Sequence, residues 1–536
     1  MVVLDSRRVT GPHLLTDGPG AAVEVRLEPG DAVGDWLARA EGLCRVLGWD
    51  FEAGGRTWAD ATGAPCASLA LRAPADLLET ACLVAEAATR SGHTDLAAIG
   101  SARVSEANPR LRALAAQAEA ASLPHFWDDE GFTVGYGPHA RTWPLHDLPR
   151  ALPDAGRVPV ALVTGTNGKT TTTRLIARMA LEAGLRAGHT SSDAIVVGRA
   201  VVDRGDWSGP GAARRLLRDP QVELAVLETA RGGLLRRGVA IRDADVAVVT
   251  NVSDDHFGEY GLVDLAGMAE AKLSIVGGLR FGGRLIVNAA DDALVGALDR
   301  VSRRRPDLHV TRFDARTVAT HLHVGDEVVP LDEIPITLGG LARYNVENVV
   351  AAVAVAEALG VPAPAIARAL REFRPDTADS SGRTNVFHRC PAAGGADVIL
   401  DFAHNPDGVA RLGPVVRGWD ARKRILALSA AGDRTDAVLD RLATVAAGLR
   451  CDAYICKDLP DHHRGRAPME VPERLRAGLI AAGIAPGAIH LAPDDPSGAR
   501  IALGLASAGD LVILLVHEQF ETVRAWLEGG AAPSPG

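Results

Sequence analysis

Two kinds of apolar patterning divide this chain. Near the start, Ala22-Val23-Glu24-Val25-Arg26-Leu27 alternates side chains as a half-buried strand does, and helical periods follow over Asp31 to Val46 and Ala75 to Arg90. From Val158 onward, short continuous apolar runs replace the alternation, at 158–163, 224–227, 246–250, 284–287, 397–400, 424–428, 453–456 and 510–516. Runs of that length suit strands buried on both faces, as in a parallel sheet. Helix-forming stretches between most of them, such as Arg174 to Ala183, supply the crossovers a parallel sheet needs. Another helix, Asn345 to Leu359, is stopped by Gly360 and Pro362.

Breaks in this pattern mark domains. Pro144, Pro149, Pro153 and Gly156 punctuate one linker at 143–157, and the polar stretch Arg374 to Gly382 reads as a second. The expected organisation is a small α+β domain at 1–155, a mostly parallel α/β domain at 156–375, and a Rossmann-like domain at 376–536. A chain of 536 residues is too long for one core, which agrees with several domains.

Composition narrows the partners. Hydrophobic residues are 47% and charged residues 23% of the chain, ordinary for a globular protein. The net charge of −10 and the lack of a polybasic block argue against nucleic acid or an anionic membrane as partner. The apolar runs are strand-length, the N-terminus lacks a signal-peptide layout, and six cysteines form no CxxC pair. A cytoplasmic protein without zinc or disulfides is expected.

The most specific chemistry lies at Val163-Thr164-Gly165-Thr166-Asn167-Gly168-Lys169-Thr170-Thr171-Thr172. A strand runs into a glycine loop and then into a helix start. Backbone N–H groups and the positive helix end face a phosphate, Lys169 reaches its outer oxygens, and a hydroxyl is free for Mg²⁺. Valine stands where the plain phosphate-loop pattern has its first glycine. Glu228 ends the next strand, and Asp254, Asp255 and His256 follow the one after. Carboxylates at strand ends beside a triphosphate suit Mg²⁺, and imidazole is a less usual ligand.

These motifs together resemble the Mur ligase superfamily, ATP-dependent carboxylate–amine ligases, and within it the C-terminal half of the cyanophycin synthetases. The resemblance rests on 163–174, Leu227-Glu228-Thr229-Ala230-Arg231-Gly232-Gly233, Asn251-Val252-Ser253-Asp254-Asp255-His256, Gly382-Arg383-Thr384-Asn385, Asp401-Phe402-Ala403-His404-Asn405-Pro406 and Arg464-Gly465-Arg466. It implies that Gly165, Thr166, Asn167, Gly168, Lys169, Thr170 and Thr171 hold ATP. It implies Mg²⁺, in two ions, on Thr170, Glu228, His256 and Lys272, the last carbamylated in many relatives. Asn288 would contact adenine, although the spacing to Asp291 is one residue longer than the family's. Arg383 would reach the phosphates and Asp401 the ribose. His404 and Asn405 would line the amine side. Asp433 is a candidate carboxylate for a basic amine, and Arg464 or Arg466 could instead grip a substrate carboxylate.

The reaction so implied activates a carboxylate as an acyl phosphate that an amine attacks, releasing ADP and phosphate. A small or peptide acid and an amine are the expected partners, with a homo-oligomer also open. Cyanophycin synthetases carry an ATP-grasp domain as well, which residues 1–155 are too few to include, so a single ligation is expected here. Two alternatives stand beside this: a folate or poly-γ-glutamate type ligase using glutamate, and a silent nucleotide-binding subunit. Closure about Arg374 to Gly382 would complete the site.

Overall fold

The computed structural model describes residues 1–60, 62–92, 94–254 and 259–529. They form two compact units, the first made of Met1–Thr317, Val324–Asp326 and Asn348–Ala369, the second of Val318–His323, Glu327–Glu347 and Leu370–Gly536.

The first unit opens with an antiparallel sheet in the order Val2–Val9, Gly20–Arg26, Pro65–Arg72, Ala53–Ala59. Its core gathers Val23, Trp36, Leu69, Leu77 and Val84, from the sheet and the helices Val33–Leu47 and Leu78–Ala87. A three-stranded sheet (His125–Asp128, Gly131–Val134, Arg141–Trp143) packs with the helix Pro109–Ala120. The predicted linker at 143–157 has no helix or strand after Trp143, yet Leu145, Leu148 and Leu152 cover Leu111, Leu114 and Phe132. It is a strap over a small core.

Eight strands form the central sheet, in the order Ala200–Arg204, Ala194–Val197, Ala187–Thr190, Leu224–Glu228, Val160–Thr164, Ala244–Val249, Leu279–Asn288, His309–Phe313. From Ala187–Thr190 to His309–Phe313 every pairing is parallel, and Ala194–Val197 with Ala200–Arg204 adds an antiparallel edge. All five residues of Val160–Thr164 are buried, as a strand covered on both faces requires. The edge strands carry apolar runs of their own, Ala194 to Val197 and Ala200 to Val202, which the sequence expectation did not include.

The segment Thr10 to His13 ties the N-terminal sheet to this domain. Thr10 N–H donates to Arg237 O (2.9 Å), Val239 N–H to Pro12 O (2.8 Å), and His13 Nε2 meets Leu235 O (2.8 Å). These bonds clasp the helix Arg231–Arg237, which follows the Glu228 strand directly.

The second unit is built on a six-stranded sheet in the order Asn385–Cys390, Ala396–Asp401, Leu511–Leu515, Arg424–Leu428, Ala453–Lys457, Ile489–Ala492. Only the first pairing is antiparallel. The segment Arg374 to Gly382, expected as a linker, is a knitted turn within this unit. Ser380 N–H donates to Asp376 O (3.0 Å), Arg374 N–H to Asp379 (3.0 Å), and Asn385 Nδ2 to Asp376 O (2.8 Å). Among the described residues no helix is long and apolar enough to cross a membrane.

Candidate functional site

Strand order assembles the phosphate-loop site. Val160–Thr164 lies between Leu224–Glu228 and Ala244–Val249, with Glu228 opposite Val163 and Val249 opposite Thr164. Residues about sixty and ninety positions apart thus end beside one loop, at the carboxyl edge where open α/β sheets bind ligands.

The loop's shape depends on two glycines. Gly168 caps the helix Lys169–Glu182 with φ 85°, and a Cβ there would overlap the Asn348 carboxamide. A Cβ on Gly165 would overlap Thr250 Oγ1. The loop is latched to the end of Ala244–Val249: Thr166 N–H donates to Asn251 O (2.9 Å), Asn167 N–H to Asn251 Oδ1 (2.9 Å), Thr250 Oγ1 to Asn167 O (2.7 Å) and Ser253 N–H to Thr166 Oγ1 (3.0 Å). The N–H groups of Thr166 and Asn167 therefore serve the latch, and anion binding falls to the helix start, whose first-turn N–H groups have no partner inside the helix. Lys169 Nζ rests on Thr166 O at 3.0 Å.

Thr170 Oγ1 donates to Glu228 Oε2 at 2.9 Å and lies 3.2 Å from Ser192 Oγ, while Ser192 N–H reaches the same carboxylate oxygen at 3.3 Å. Glu228 is 3% exposed. A buried carboxylate and a hydroxyl, converging at a phosphate-binding helix start, are hard oxygen donors of the kind Mg²⁺ takes. His256 lies outside the described residues, as does Asp255. Among the described residues no three His, Cys, Asp or Glu side chains cluster as a metal cage.

Lys272 is on the helix Leu265–Leu273 and is 3% exposed, so it is a core lysine and not a solvated one. Asn288 is equally buried. Its Nδ2 donates to Thr250 O (3.0 Å) and its Oδ1 accepts from Ala290 N–H (2.9 Å), so its carboxamide ties neighbouring strand ends together. Asp291, one residue displaced from the family spacing, caps the helix Asp292–Arg304 through Leu294 N–H and also accepts from Val252 N–H.

In the second unit, Asp401 ends its strand with both oxygens engaged: Oδ2 by Thr384 N–H (2.7 Å) and Thr384 Oγ1 (3.1 Å), Oδ1 by Ala403 N–H (2.8 Å). Burial pushes its carboxyl above the ordinary value against these bonds. Arg383 lies over the Phe402 ring, 4.5 Å from its centre. His404 packs edge-on to Phe402 and His517. Asn405 caps the helix Pro406–Gly418 through Gly408 N–H (2.7 Å), a structural duty.

Asp433 and Arg464 form an ion pair with each other. Arg466 is spent on Gly432 O, Arg434 O, Asp436 and Glu470. These three fasten the 432–436 and 462–470 loops together.

One constellation was missed by sequence reasoning. At the ends of three adjacent parallel strands, buried Lys457 pairs with Asp495 and donates to Ser429 Oγ (2.9 Å), and Ser429 Oγ lies 2.8 Å from His517 Nδ1. His517 Nε2 meets Ala403 O at 3.2 Å, and Asp495 Oδ2 accepts from the N–H of His517 and Glu518. Since an ammonium only donates, the chain runs Lys457 to Ser429 to His517 to the Ala403 carbonyl, fixing an Nε2–H imidazole under the Asp401–Asn405 loop. Burial opposes the Asp495 carboxylate, but the Lys457 ammonium and the Glu518 N–H outweigh it and hold the carboxyl below its ordinary range. Nothing in the local sequence links these four residues, which three strand ends and the start of the helix Asp495–Gly504 bring together.

Comparison with known proteins follows the same division. Residues 163–356 match the Mur ligase middle domain, and residues 382–515 match the Mur ligase, glutamate ligase domain. The chain is 35% identical over 392 residues to cyanophycin synthetase from Synechocystis sp., covering 69% of this chain and 44% of that protein. It thus spans less than half the length of that relative. It is 28% identical over 382 residues to UDP-N-acetylmuramoyl-L-alanyl-D-glutamate--2,6-diaminopimelate ligase from Xanthomonas oryzae pv. oryzae, covering 67% of this chain and 73% of that one. Among solved structures it resembles the bifunctional folylpolyglutamate synthase/dihydrofolate synthase of Yersinia pestis complexed with AMPPNP and Mn ion. The TM-score is 0.50 at 20% identity, over 68% of this chain and 87% of that one, a likeness of fold.

Proposed function

Because the chain belongs to the Mur ligase superfamily, we propose that it is an ATP-dependent ligase joining a carboxylate to an amine through an acyl phosphate. The observation that carries this reading is the Thr170–Glu228 pair, 2.9 Å apart at the start of the phosphate-loop helix. Thr170 and Glu228 would hold a divalent ion, with His256 and Lys272 as the remaining ligands carried over from the family. The ion, when bound, supplies positive charge at the transferring phosphoryl group.

The chain's own residues then do three things. Lys169 and the first-turn N–H groups bind the outer phosphates. The latch of Thr250, Asn251 and Ser253 keeps the loop in its binding shape. Arg383 and Asp401, as carried over from the family, would serve the phosphates and ribose. An oxygen of the acid attacks the γ-phosphorus as the bond to ADP breaks. A free amine next attacks the acyl carbon, phosphate leaves with the bonding electrons, and the amine's proton passes to solvent. No covalent bond to the protein is needed, so positioning and charge stabilisation carry the rate. A carbamylated Lys272 would provide a carboxylate-like ligand, and bicarbonate-dependent activity tests it.

The acid is a small molecule or a peptide, and the amine an amino acid or related base. ADP release should require both substrates, and Lys169→Ala should lower it by at least about 100-fold. AMP as the product would overturn the reading, since it signals adenylation. A panel of amines separates the branches: turnover with glutamate and none with basic amino acids assigns the folate or poly-γ-glutamate type. Mg-ATP binding without turnover on any pair assigns a silent subunit.

A further inference from the structure

A cavity of about 780 Å³ lies away from the phosphate loop, between the N-terminal sheet and the helices Leu265–Leu273 and Asp292–Arg304. Its volume is in the range of small-molecule sites. One wall is a face of the Lys272 helix, presented by Ala266, Gly267, Glu270 and Leu273 at helical spacing.

Among the described residues, its four carboxylates and four guanidiniums balance in number but are not all paired with one another. Every carboxylate there already has a partner: Glu270 pairs with Arg300 (2.5 Å), Asp17 with Arg242 (2.9 Å), Glu52 with Arg72 (3.3 Å), and Asp264 caps its helix through Gly267 N–H (2.7 Å). Arg305 is held by Asp307 at 2.8 Å. Among the described residues two lining guanidiniums, Arg56 and Arg304, make no ion pair. Arg56 Nη1 is buried with no hydrogen-bond partner, and so is Thr16 Oγ1, on another stretch of the same lining. Buried donors without acceptors are rare in native structures and mark a missing partner. A buried guanidinium nitrogen and a buried hydroxyl lack partners here, and the exposed, unpaired Arg304 lines the same cavity, a set suited to an oxyanion.

The geometry points to a second ligand site here, for a small molecule carrying two or more carboxylate or phosphate groups, gripped by Arg56 and Arg304. It is separate from the nucleotide site and independent of the ligase reading. An occupant would lie against the helix that carries Lys272.

The test is isothermal titration of the full chain carrying Lys169→Ala, which removes competition from the phosphate loop. Citrate and pyrophosphate serve as the two probes. Saturable binding of one probe is expected, and the preferred probe identifies carboxylate or phosphate as the ligand chemistry. Arg304→Met, at an exposed position that leaves folding intact, should weaken that binding at least tenfold, and Arg56→Met should do the same. Mg-ATP affinity of the chain with Lys169 intact should be unchanged by either substitution. Absence of saturable binding by both probes, or binding that survives Arg304→Met undiminished, would overturn the proposal.

Discussion

Gly168 shows how much of the site hangs on single residues. Its φ of 85° disfavours any side chain, and Asn348 fills the space a Cβ would need. The left-handed backbone alone costs a substituted residue roughly 1–2 kcal/mol, before the overlap is counted. Gly168→Ala should therefore weaken Mg-ATP binding by at least about tenfold, read by titration with a fluorescent ATP analogue. Unchanged affinity would mean that the loop does not hold the phosphates. Glu228→Gln tests charge apart from shape, because the amide oxygen can still accept from Thr170. The expected result is metal affinity lowered about 10-fold or more, with the melting temperature nearly unchanged. An unaltered metal titration would remove Glu228 from the ligand set. Lys169, Thr170 and Glu228 stand out in the sequence because their types and spacing are those of a phosphate loop, and the structure brings Thr170 and Glu228 together. The latch residues Thr250 and Asn251, and Ser192, were not, because short polar side chains at strand ends look alike in sequence.

Among elements, the Lys457–Asp495 pair has the clearest energetic consequence. Both side chains are buried, and each is the other's main compensation. Lys457→Met leaves a buried carboxylate unpaired and should cost about 3–5 kcal/mol in urea unfolding. The double substitution Lys457→Met with Asp495→Leu should recover most of that loss. A double variant as unstable as the single one would show that the network beyond the pair, through Ser429 and His517, carries the stability. At this scale the buried runs announced eight strands. In the N-terminal sheet only the alternation at Ala22 to Leu27 stood out, and the short Asn385–Cys390 strand stayed silent because its faces mix polar and apolar residues, while the apolar edge runs Ala194 to Val197 and Ala200 to Val202 were as legible as the eight. The turn over Arg374 to Gly382 reads as a linker by composition, yet its Asp, Ser and Asn-bonded carbonyls close on one another.

The whole molecule should lose stability in acid, and the sign follows from its buried groups. Burial pushes His13 down to about 4 and His189 down to about 3. Folded values below the unfolded one mean that the unfolded chain binds protons the fold refuses. Their stabilisation is complete above about pH 6.5 and is lost as pH falls toward 4, at roughly 1.4 kcal/mol per pH unit for each imidazole. Asp243 acts oppositely, since burial pushes its carboxyl up to about 6 and the fold keeps its proton where the unfolded chain gives it up. Melting temperature should therefore fall between pH 6.5 and 4.5, and Asp243→Asn should steepen the fall by removing the compensation. A flat profile in both proteins would contradict this account.

The order of residues alone pointed to a nucleoside triphosphate as ligand, to parallel α/β in the later two thirds, and to the superfamily the chain resembles. Those signals are written locally, in runs of buried residues and in a loop whose chemistry lies within ten consecutive positions. Which strand lies beside which was decided only in three dimensions. Placing Leu224–Glu228 and Ala244–Val249 on either side of Val160–Thr164 brings a carboxylate and the loop's latch to one phosphate-binding helix. The same holds for Lys457, Ser429, His517 and Asp495, and for the uncompensated arginines of the distal cleft. Parallel pairing joins residues through crossovers of variable length, so no spacing along the chain encodes the neighbours it creates.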